Sequence, residues 1–268
     1  MTENRQKIAI SGSHGVIGEK LMERLKYENV YRLGRDGVIP NKTDVVFDLA
    51  SYGNLYSQYY IPPTEMAVRS YTANLMRLIK SIDEWDKQGK FIYISTSAVI
   101  LTNKTFYSLS KEAAEKYIQH IQPKLNLKIA IVRPYTVIGV GEHSEHLIPT
   151  LIDSCLSGTK IPFVSWPKHD FISYDDFIDA LLLIKDKGEL KSEIYEIGSG
   201  KEYTNEEVKN LVEKTTGKKA NIEIVDNLRQ YDSERWRAPH SAIYRLGWKP
   251  KQSLEQIIEQ MVYAKKNS

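Results

Sequence analysis

Lys7-Ile8-Ala9-Ile10-Ser11-Gly12-Ser13-His14-Gly15-Val16-Ile17-Gly18 runs from a short apolar stretch into a turn with glycine at every third position. The apolar stretch reads as a buried strand. Ile17, Leu21 and Leu25 then fall on one stripe of a helix over about residues 16–26. Strand, glycine turn and helix in that order predict a dinucleotide site. Gly12, Gly15 and Gly18 let the backbone turn tightly and approach a pyrophosphate. The phosphates rest on free N–H groups at the helix start, with Ser13, His14, Val16 and Ile17 around them.

Outward from that turn, a second strand over Asn29 to Leu33 ends in Gly34-Arg35-Asp36-Gly37. An acidic residue here takes ribose hydroxyls in NAD-specific sites. Arg35, whose guanidinium suits a 2′-phosphate, favours NADP(H). A third strand, Asp44 to Leu49, follows so soon that the usual intervening helix must be truncated. Ala50 and Ser51 open a tyrosine-rich loop, Tyr52 to Tyr60, suited to surface packing or a dimer contact. A long helix begins at Pro62-Pro63, since proline is tolerated in a first turn. It reaches about Trp85 and buries Met66, Leu75, Leu78, Ile79 and Ile82. Phe91 to Ser95 is the fourth strand, and Lys128 to Arg133, closed by Pro134, is the fifth. This alternation predicts a parallel sheet covered on both faces. The ligand should lie beyond the carboxyl ends of the strands, where Gly12, Ala50, Thr96 and Pro134 fall.

The helix between the fourth and fifth strands carries Tyr107-Ser108-Leu109-Ser110-Lys111. Residues four apart share a helix face, so an ammonium can sit beneath a phenol. Free tyrosine, with a pKa near ~10, is neutral at pH 7, and a nearby cation favours the phenolate. Such a phenol can exchange a proton with a hydroxyl or carbonyl while hydride moves to or from a cofactor.

The 268 residues suffice for one large domain or two small ones. A net charge of +3, with no basic block interleaved with aromatics, gives no reason to expect a nucleic-acid partner. The single cysteine, Cys155, excludes an internal disulfide and reads as a small buried hydrophobe. Met1 to Lys7 is polar with no signal-type apolar region behind it, and no apolar run is long enough to span a bilayer. These features predict a cytoplasmic protein with no membrane partner. Beyond Gly139 come helices near residues 146–157, 175–185, 205–215 and 253–265, with strands near 161–164, 194–197 and 222–225. No metal-binding cluster stands out.

Taken together, these residues resemble the extended short-chain dehydrogenase/reductase family, the NAD(P)-dependent nucleotide-sugar epimerases, dehydratases and ketoreductases. Gly12-x-x-Gly15-x-x-Gly18 is similar to its glycine signature and Asp44-Val-Val-Phe-Asp-Leu-Ala50 to its third strand. Ile94-Ser-Thr-Ser-Ala-Val99 resembles its serine/threonine strand, and Tyr107-x-x-x-Lys111 its catalytic helix. Arg133-Pro-Tyr-Thr-Val-Ile-Gly139 resembles the run lining the nicotinamide pocket. Asp170-Phe-Ile-Ser-Tyr-Asp-Asp176 and Leu246-Gly-Trp-Lys-Pro250 match two late landmarks.

The resemblance implies an α/β fold: a Rossmann-type doubly wound parallel sheet with a smaller C-terminal α/β substrate-binding lobe. Residues 1–140 with about 171–198 would bind the dinucleotide, and about 141–170 with 199–268 the substrate. It implies Tyr107 as acid/base, Lys111 lowering its pKa and holding the nicotinamide ribose, and Thr96 bonded to the reacting oxygen. Leu49, Ala50, Ser95 and Pro134 would border the cofactor. Ser97, His146, Arg229 and Arg235 would meet a nucleotide sugar, either arginine suiting a diphosphate. Relatives often dimerise through the helices near residues 64–85 and 107–120.

Several positions depart from the family. Ile100-Leu101 replaces the usual Tyr-Gly, only ten residues separate Thr96 from Tyr107, His169 stands where arginine is common, and Val68 falls where the family's helix has asparagine. Ser97-Ala98 offers no carboxylate where 4,6-dehydratases carry Asp-Glu, which disfavours dehydration. The resulting expectation is hydride transfer at C4 of a nucleotide-activated sugar, by an epimerase or oxidoreductase. A narrower alternative is an NADPH-dependent 4-keto-sugar-nucleotide reductase, and another class is a non-catalytic NAD(P)-binding sensor.

Overall fold

The computed structural model describes residues 5–34, 37–53, 62–226, 229, 231–239 and 242–267, with residue 192 by its backbone alone. The chain divides into two compact units. The first comprises Met1–Pro134, Ile178–Glu196 and Ser241–Trp248, and the second Tyr135–Phe177, Ile197–His240 and Lys249–Ser268.

The first unit is built on a six-stranded sheet in the order β2-β1-β3-β4-β5-β9. These strands are β1 (Lys7–Ser11), β2 (Asn29–Leu33), β3 (Val45–Asp48), β4 (Lys90–Ile94), β5 (Ile129–Pro134) and β9 (Lys191–Ile197). β1 pairs in parallel with both β2 and β3, β3 with β4, and β4 with β5. This is the Rossmann-type parallel sheet the sequence predicts. Central strands read as unbroken apolar runs because helices cover both their faces; all four residues of β3 are buried. β2 departs from this, with Tyr31 and Arg32 exposed. Residues 37–44 behind it contain no helix to cover it, as the short connection predicts.

Sheet order reverses between β1 and β3, and the crevice at such a switch point is where open α/β sheets bind ligands. α1 (Val16–Arg24) leaves the glycine turn there. The long helix is continuous but composite, with α2 (Pro63–Ser70), a π-helical turn (Tyr71–Met76) and α3 (Arg77–Glu84). Met66, Leu78 and Ile82 are buried as expected, whereas Leu75 and Ile79 are only half-buried. The extra residue per turn at Tyr71–Met76 rotates the stripe and carries Asn74 inward. α4 (Phe106–Leu125) starts at a reciprocal Thr105/Ser108 cap and stops at Asn126 in the left-handed region. Packing of Leu78, Ile82, Trp85, Ala114 and Ile118 onto Val46, Phe91 and Ile131 forms one core layer.

The second unit holds a three-stranded sheet, β10-β8-β6, and the parallel pair β7/β11. Its strands are β6 (Thr136–Ile138), β7 (Ile161–Phe163), β8 (Lys168–Ser173), β10 (Glu202–Thr204) and β11 (Ile222–Ile224). α5 (Leu147–Ser157), α7 (Asn205–Thr216) and α9 (Leu254–Lys266) pack Leu151, Val208, Val212, Ile257 and Ile258 around Phe171. α6 (Tyr174–Lys187) follows β8, and a short α8 (Ala242–Arg245) lies near the C-terminus of the first unit. The sheet strands β6, β8 and β10 escape the sequence pattern because they are short and carry Lys168, His169, Asp170 and Glu202 among their apolar residues. Asp170, fully buried, accepts from the backbone N–H groups of Ser199 (2.6 Å), Gly200 (2.9 Å) and Ala238 (2.9 Å). Asp176 accepts from those of Lys251 (2.9 Å) and Gln252 (3.0 Å). Both late acidic landmarks therefore brace loops.

Candidate active site

The glycine turn fits a pyrophosphate on three structural grounds. Gly12 has φ +68°, and a Cβ there would stand 2.8 Å from the Ala50 nitrogen. A Cβ on Gly18 would stand 2.7 Å from Ser13 Cα, so turn and helix pack backbone to backbone. α1 begins at Gly15 with no side chain capping its free N–H groups, which leaves them to an anion. Ser13 is fully buried, and its hydroxyl has no hydrogen-bond partner among the described residues. Gly15, Val16 and His14 are exposed and Ile17 half-buried, leaving the mouth of the turn open. Arg32 on β2 reaches His14 Nδ1 at 3.2 Å. Arg35 lies outside the described residues.

Below this cradle, Ser11 and Asp48 at the ends of β1 and β3 are hydrogen-bonded to each other, and the Ser11 hydroxyl accepts from Ala50 N–H at 3.1 Å. Arg77 grips Asp48 with two bonds, 2.7 and 3.0 Å, and donates to the Ala50 carbonyl at 2.9 Å. Leu49 and Ala50 are thus fixed at the crevice, both half-buried. A parallel arrangement stands on β4 and β5. Glu115 of α4 accepts from the Ser95 hydroxyl and takes a two-pronged bond from Arg133, at 2.9 and 2.6 Å. Ser95 is buried beneath the site and Pro134 half-buried at the end of β5.

Tyr107 lies in the first turn of α4, and the side chains of Ser51 and Thr96 act on its phenol. The short Thr96-to-Tyr107 connection therefore still brings the two together. Thr96 Oγ1 accepts from Ala98 N–H at 3.2 Å, opening a short 3₁₀ turn over Ser97–Ile100 in which Ser97 is buried. Lys111 is 2% exposed; its Nζ donates to the Ile94 carbonyl at 2.7 Å and stands 4.9 Å over the Tyr93 ring.

The electrostatics differ from the expectation of a depressed phenol. Burial pushes Tyr107 above its ordinary value, offset in part by Ser51 and Thr96. Burial also brings Lys111 down to about 7, against the pull of Asp48. The two side chains share a helix face as predicted, but desolvation outweighs what Ser51 and Thr96 do to lower the phenol.

In the second unit, His146 stands at the N-cap position of α5 without a side-chain capping bond and meets Glu142 at 3.0 Å, and burial raises the Glu142 carboxyl. Arg229 lies 5.9 Å over the Tyr231 ring and, as the Arg-x-x-Asp spacing suggests, acts on Asp232. Arg235 is exposed. His169 is buried between Phe171 and Trp236, with ring centroids 5.8 and 5.2 Å away, and burial followed by Arg229 lowers it to about 4. It is a neutral core histidine. Sequence reasoning missed Ser51, Asn74, Asp48–Arg77 and Glu115–Arg133. Only the polar residues inside otherwise apolar stretches signalled them. Among the described residues no cluster fits a metal ion, and no helix is long and apolar enough to cross a membrane.

A glycine cradle at a sheet switch point, in one unit with a half-buried Tyr107 and a buried Lys111, defines a dinucleotide-binding α/β protein of the short-chain dehydrogenase type. The family model for the NAD dependent epimerase/dehydratase family matches residues 8–198, and the chain belongs to that family. It is 28% identical to the dTDP-D-glucose 4,6-dehydratase of Mus musculus over 199 residues, covering 65% of this chain and 54% of that one. The chain spans about half the length of the first curated relatives it matches. Its fold is that of RMD from Pseudomonas aeruginosa, solved with NADPH, at TM-score 0.80 and 20% identity over 96% of this chain and 98% of that one. It is equally that of MoeE5, solved with UDP-glucuronic acid and NAD, at TM-score 0.84 and 18% identity over 97% and 99%.

Proposed function

We propose that the chain is an NAD(P)-dependent enzyme that oxidises or reduces a nucleotide-activated sugar at C4, as an epimerase or ketoreductase, with Tyr107 as acid/base. The observation that carries this is Tyr107 in the first turn of α4, one helical turn before buried Lys111 and in the same unit as the glycine cradle, with Thr96 and Ser51 acting on its phenol. A sensor that only bound the cofactor would have no use for a phenol and a buried lysine on one face of this helix.

A bound nicotinamide supplies the hydride donor or acceptor. Gly12, Gly15, Gly18, Ser13 and the start of α1 would hold its pyrophosphate, with Leu49 and Ala50 alongside. Tyr107 gives its proton to the sugar oxygen as the carbonyl is reduced and takes it back in oxidation. Thr96 bonds that oxygen. Lys111, near half-protonated at neutral pH, holds its proton at Nζ against the Ile94 carbonyl. Ala98 supplies no carboxylate for eliminating water. His146, Arg229 and Arg235 remain the candidates for the nucleotide diphosphate, and exposed Val68 and Met76 on the long helix suit a dimer contact.

Two observations favour the NADPH-dependent reductase. The raised Tyr107 phenol is neutral at pH 7 and so begins as a proton donor, the direction that reducing a ketone requires. Arg32 held against His14 puts a guanidinium at the glycine turn, which suits a 2′-phosphate.

The test is turnover of 4-keto and 4-hydroxy nucleotide sugars, followed by the absorbance of reduced nicotinamide. The purified chain is first examined for retained cofactor. NADPH consumed on the ketone supports the reductase, and interconversion of C4 epimers with retained NAD(H) supports the epimerase. Tyr107→Phe should lose about a thousandfold in kcat with cofactor affinity nearly intact. Surviving activity in that variant would overturn the assignment.

A further inference from the structure

Side chains alternate along a strand, so Phe91, Tyr93 and Ser95 of β4 share one face, and α4 lies over it. The two elements share a core that includes Phe91, Tyr93, Ala114 and Ile118, and Ser95 bonds Glu115 across it. Lys111, Ala114, Glu115 and Ile118 are buried at the i, i+3, i+4, i+7 spacing of a core stripe. A lysine therefore holds a position suited to an apolar residue. Its ammonium, removed from water, must be compensated from within the protein.

The charged groups around it are engaged elsewhere. Asp48 of β3 is gripped by Arg77 of α3 at 2.7 and 3.0 Å, and Glu115 of α4 by Arg133 of β5 at 2.9 and 2.6 Å. Both carboxylates attract the ammonium and Arg77 repels it, but neither carboxylate forms an ion pair with it among the described residues. Tyr107, one turn earlier, is neutral at pH 7. What touches Nζ is β4 itself. The Ile94 carbonyl accepts from it at 2.7 Å, and it stands over the Tyr93 ring, 4.9 Å from the centroid. The negative face of an aromatic ring attracts a cation, most strongly where both are desolvated. Tyr93 is fully buried, and its hydroxyl has no hydrogen-bond partner among the described residues, so the ring and not the oxygen is in use. An ammonium has three donors, and a ring face takes its charge without fixing any of them, which leaves donors for a bound ribose.

We propose that Tyr93 is a positioning residue for the reaction, its ring face keeping the Lys111 ammonium charged and fixed against β4 through a cation–π contact. This rests on Lys111 being the cation that serves Tyr107.

The test follows Lys111 directly, by NMR of the full chain labelled at the lysine ε-carbon, with the Lys111 signal identified by its loss in Lys111→Met. The parent midpoint lies at about 7. Tyr93→Phe keeps the ring face and should leave it there. Tyr93→Leu should lower the midpoint by about one pH unit, as loss of a desolvated cation–π contact does. Phenylalanines of increasing ring fluorination at position 93 keep the shape while weakening the negative face, and should lower it stepwise. That series decides the question even where the leucine variant fails to fold. A midpoint unmoved or raised across it overturns the proposal. Turnover gives a second readout. A fall of one unit takes the protonated fraction at pH 7 from about half to about a tenth, so kcat in Tyr93→Leu should drop about fivefold at pH 7 and recover at about pH 5. A loss that persists in acid with an unmoved midpoint makes Tyr93 merely structural and overturns its part. The lysine titration needs no substrate. A midpoint that moves as expected in a chain that turns over no nucleotide sugar would therefore support this proposal and reject the function above.

Discussion

Asp48 and Arg77 meet 29 positions apart, both largely removed from water, with two hydrogen bonds between them. Removing one partner of a buried pair leaves the other charge uncompensated, which costs about 3–5 kcal/mol. Asp48→Asn should therefore lower the unfolding free energy by about that amount in a denaturant titration, and a loss no larger than that of an exposed carboxylate would show the pair to be ordinary. Nothing local in the sequence announces this pair. Tyr107 and Lys111 were legible because helical periodicity fixes their spacing. The direction of their pKa shifts was not, because burial depends on what distant segments bring over them. Asn74 was hidden for a related reason: an unbroken α-helix does not foresee the π-helical turn that rotates it inward.

At the level of elements, the glycine turn was legible because strand, turn and helix are contiguous and each glycine answers a local need. Those needs differ, and the difference can be measured. A Cβ on Gly18 would collide with the backbone of Ser13, whereas one on Gly15 would meet only Gly12 O at an ordinary 3.5 Å. Gly18→Ala should cost both melting temperature and cofactor affinity. Gly15→Ala should leave the melting temperature nearly unchanged and weaken NAD(P)H binding about tenfold or more, because its Cβ would stand where the pyrophosphate approaches. Calorimetric titration beside a thermal melt reads both. Unchanged affinity in Gly15→Ala would mean that no phosphate rests on this turn. In the second unit β7 and β11 were legible, whereas β6, β8 and β10 stayed illegible because three ladder partners suffice for each pairing and charged residues such as Asp170 interrupt their alternation.

Across the whole molecule, each of the two units contains a buried base whose titration is linked to folding, and the linkage works at opposite ends of the pH scale. In the first unit, Lys111 falls from 10.5 to about 7. Between those values the unfolded chain binds the extra proton, so this group makes stability rise with pH through that window. In the second unit, His169 falls from 6.5 to about 4. Below 6.5 the unfolded chain takes up the proton first, so stability is lost as pH drops toward 4. Asp232 works against this, since burial raises it from 3.8 to about 6. Its folded form is protonated first, so acid favours folding over that interval. Melting temperatures measured between pH 6.5 and 4 should therefore fall less steeply in His169→Phe and more steeply in Asp232→Asn than in the parent chain. Parallel curves for all three would show that neither group changes its proton affinity on folding. His169→Phe also preserves an aromatic ring between Phe171 and Trp236, so a changed slope rather than a uniform offset is the sign that the imidazole proton, and not packing, is responsible.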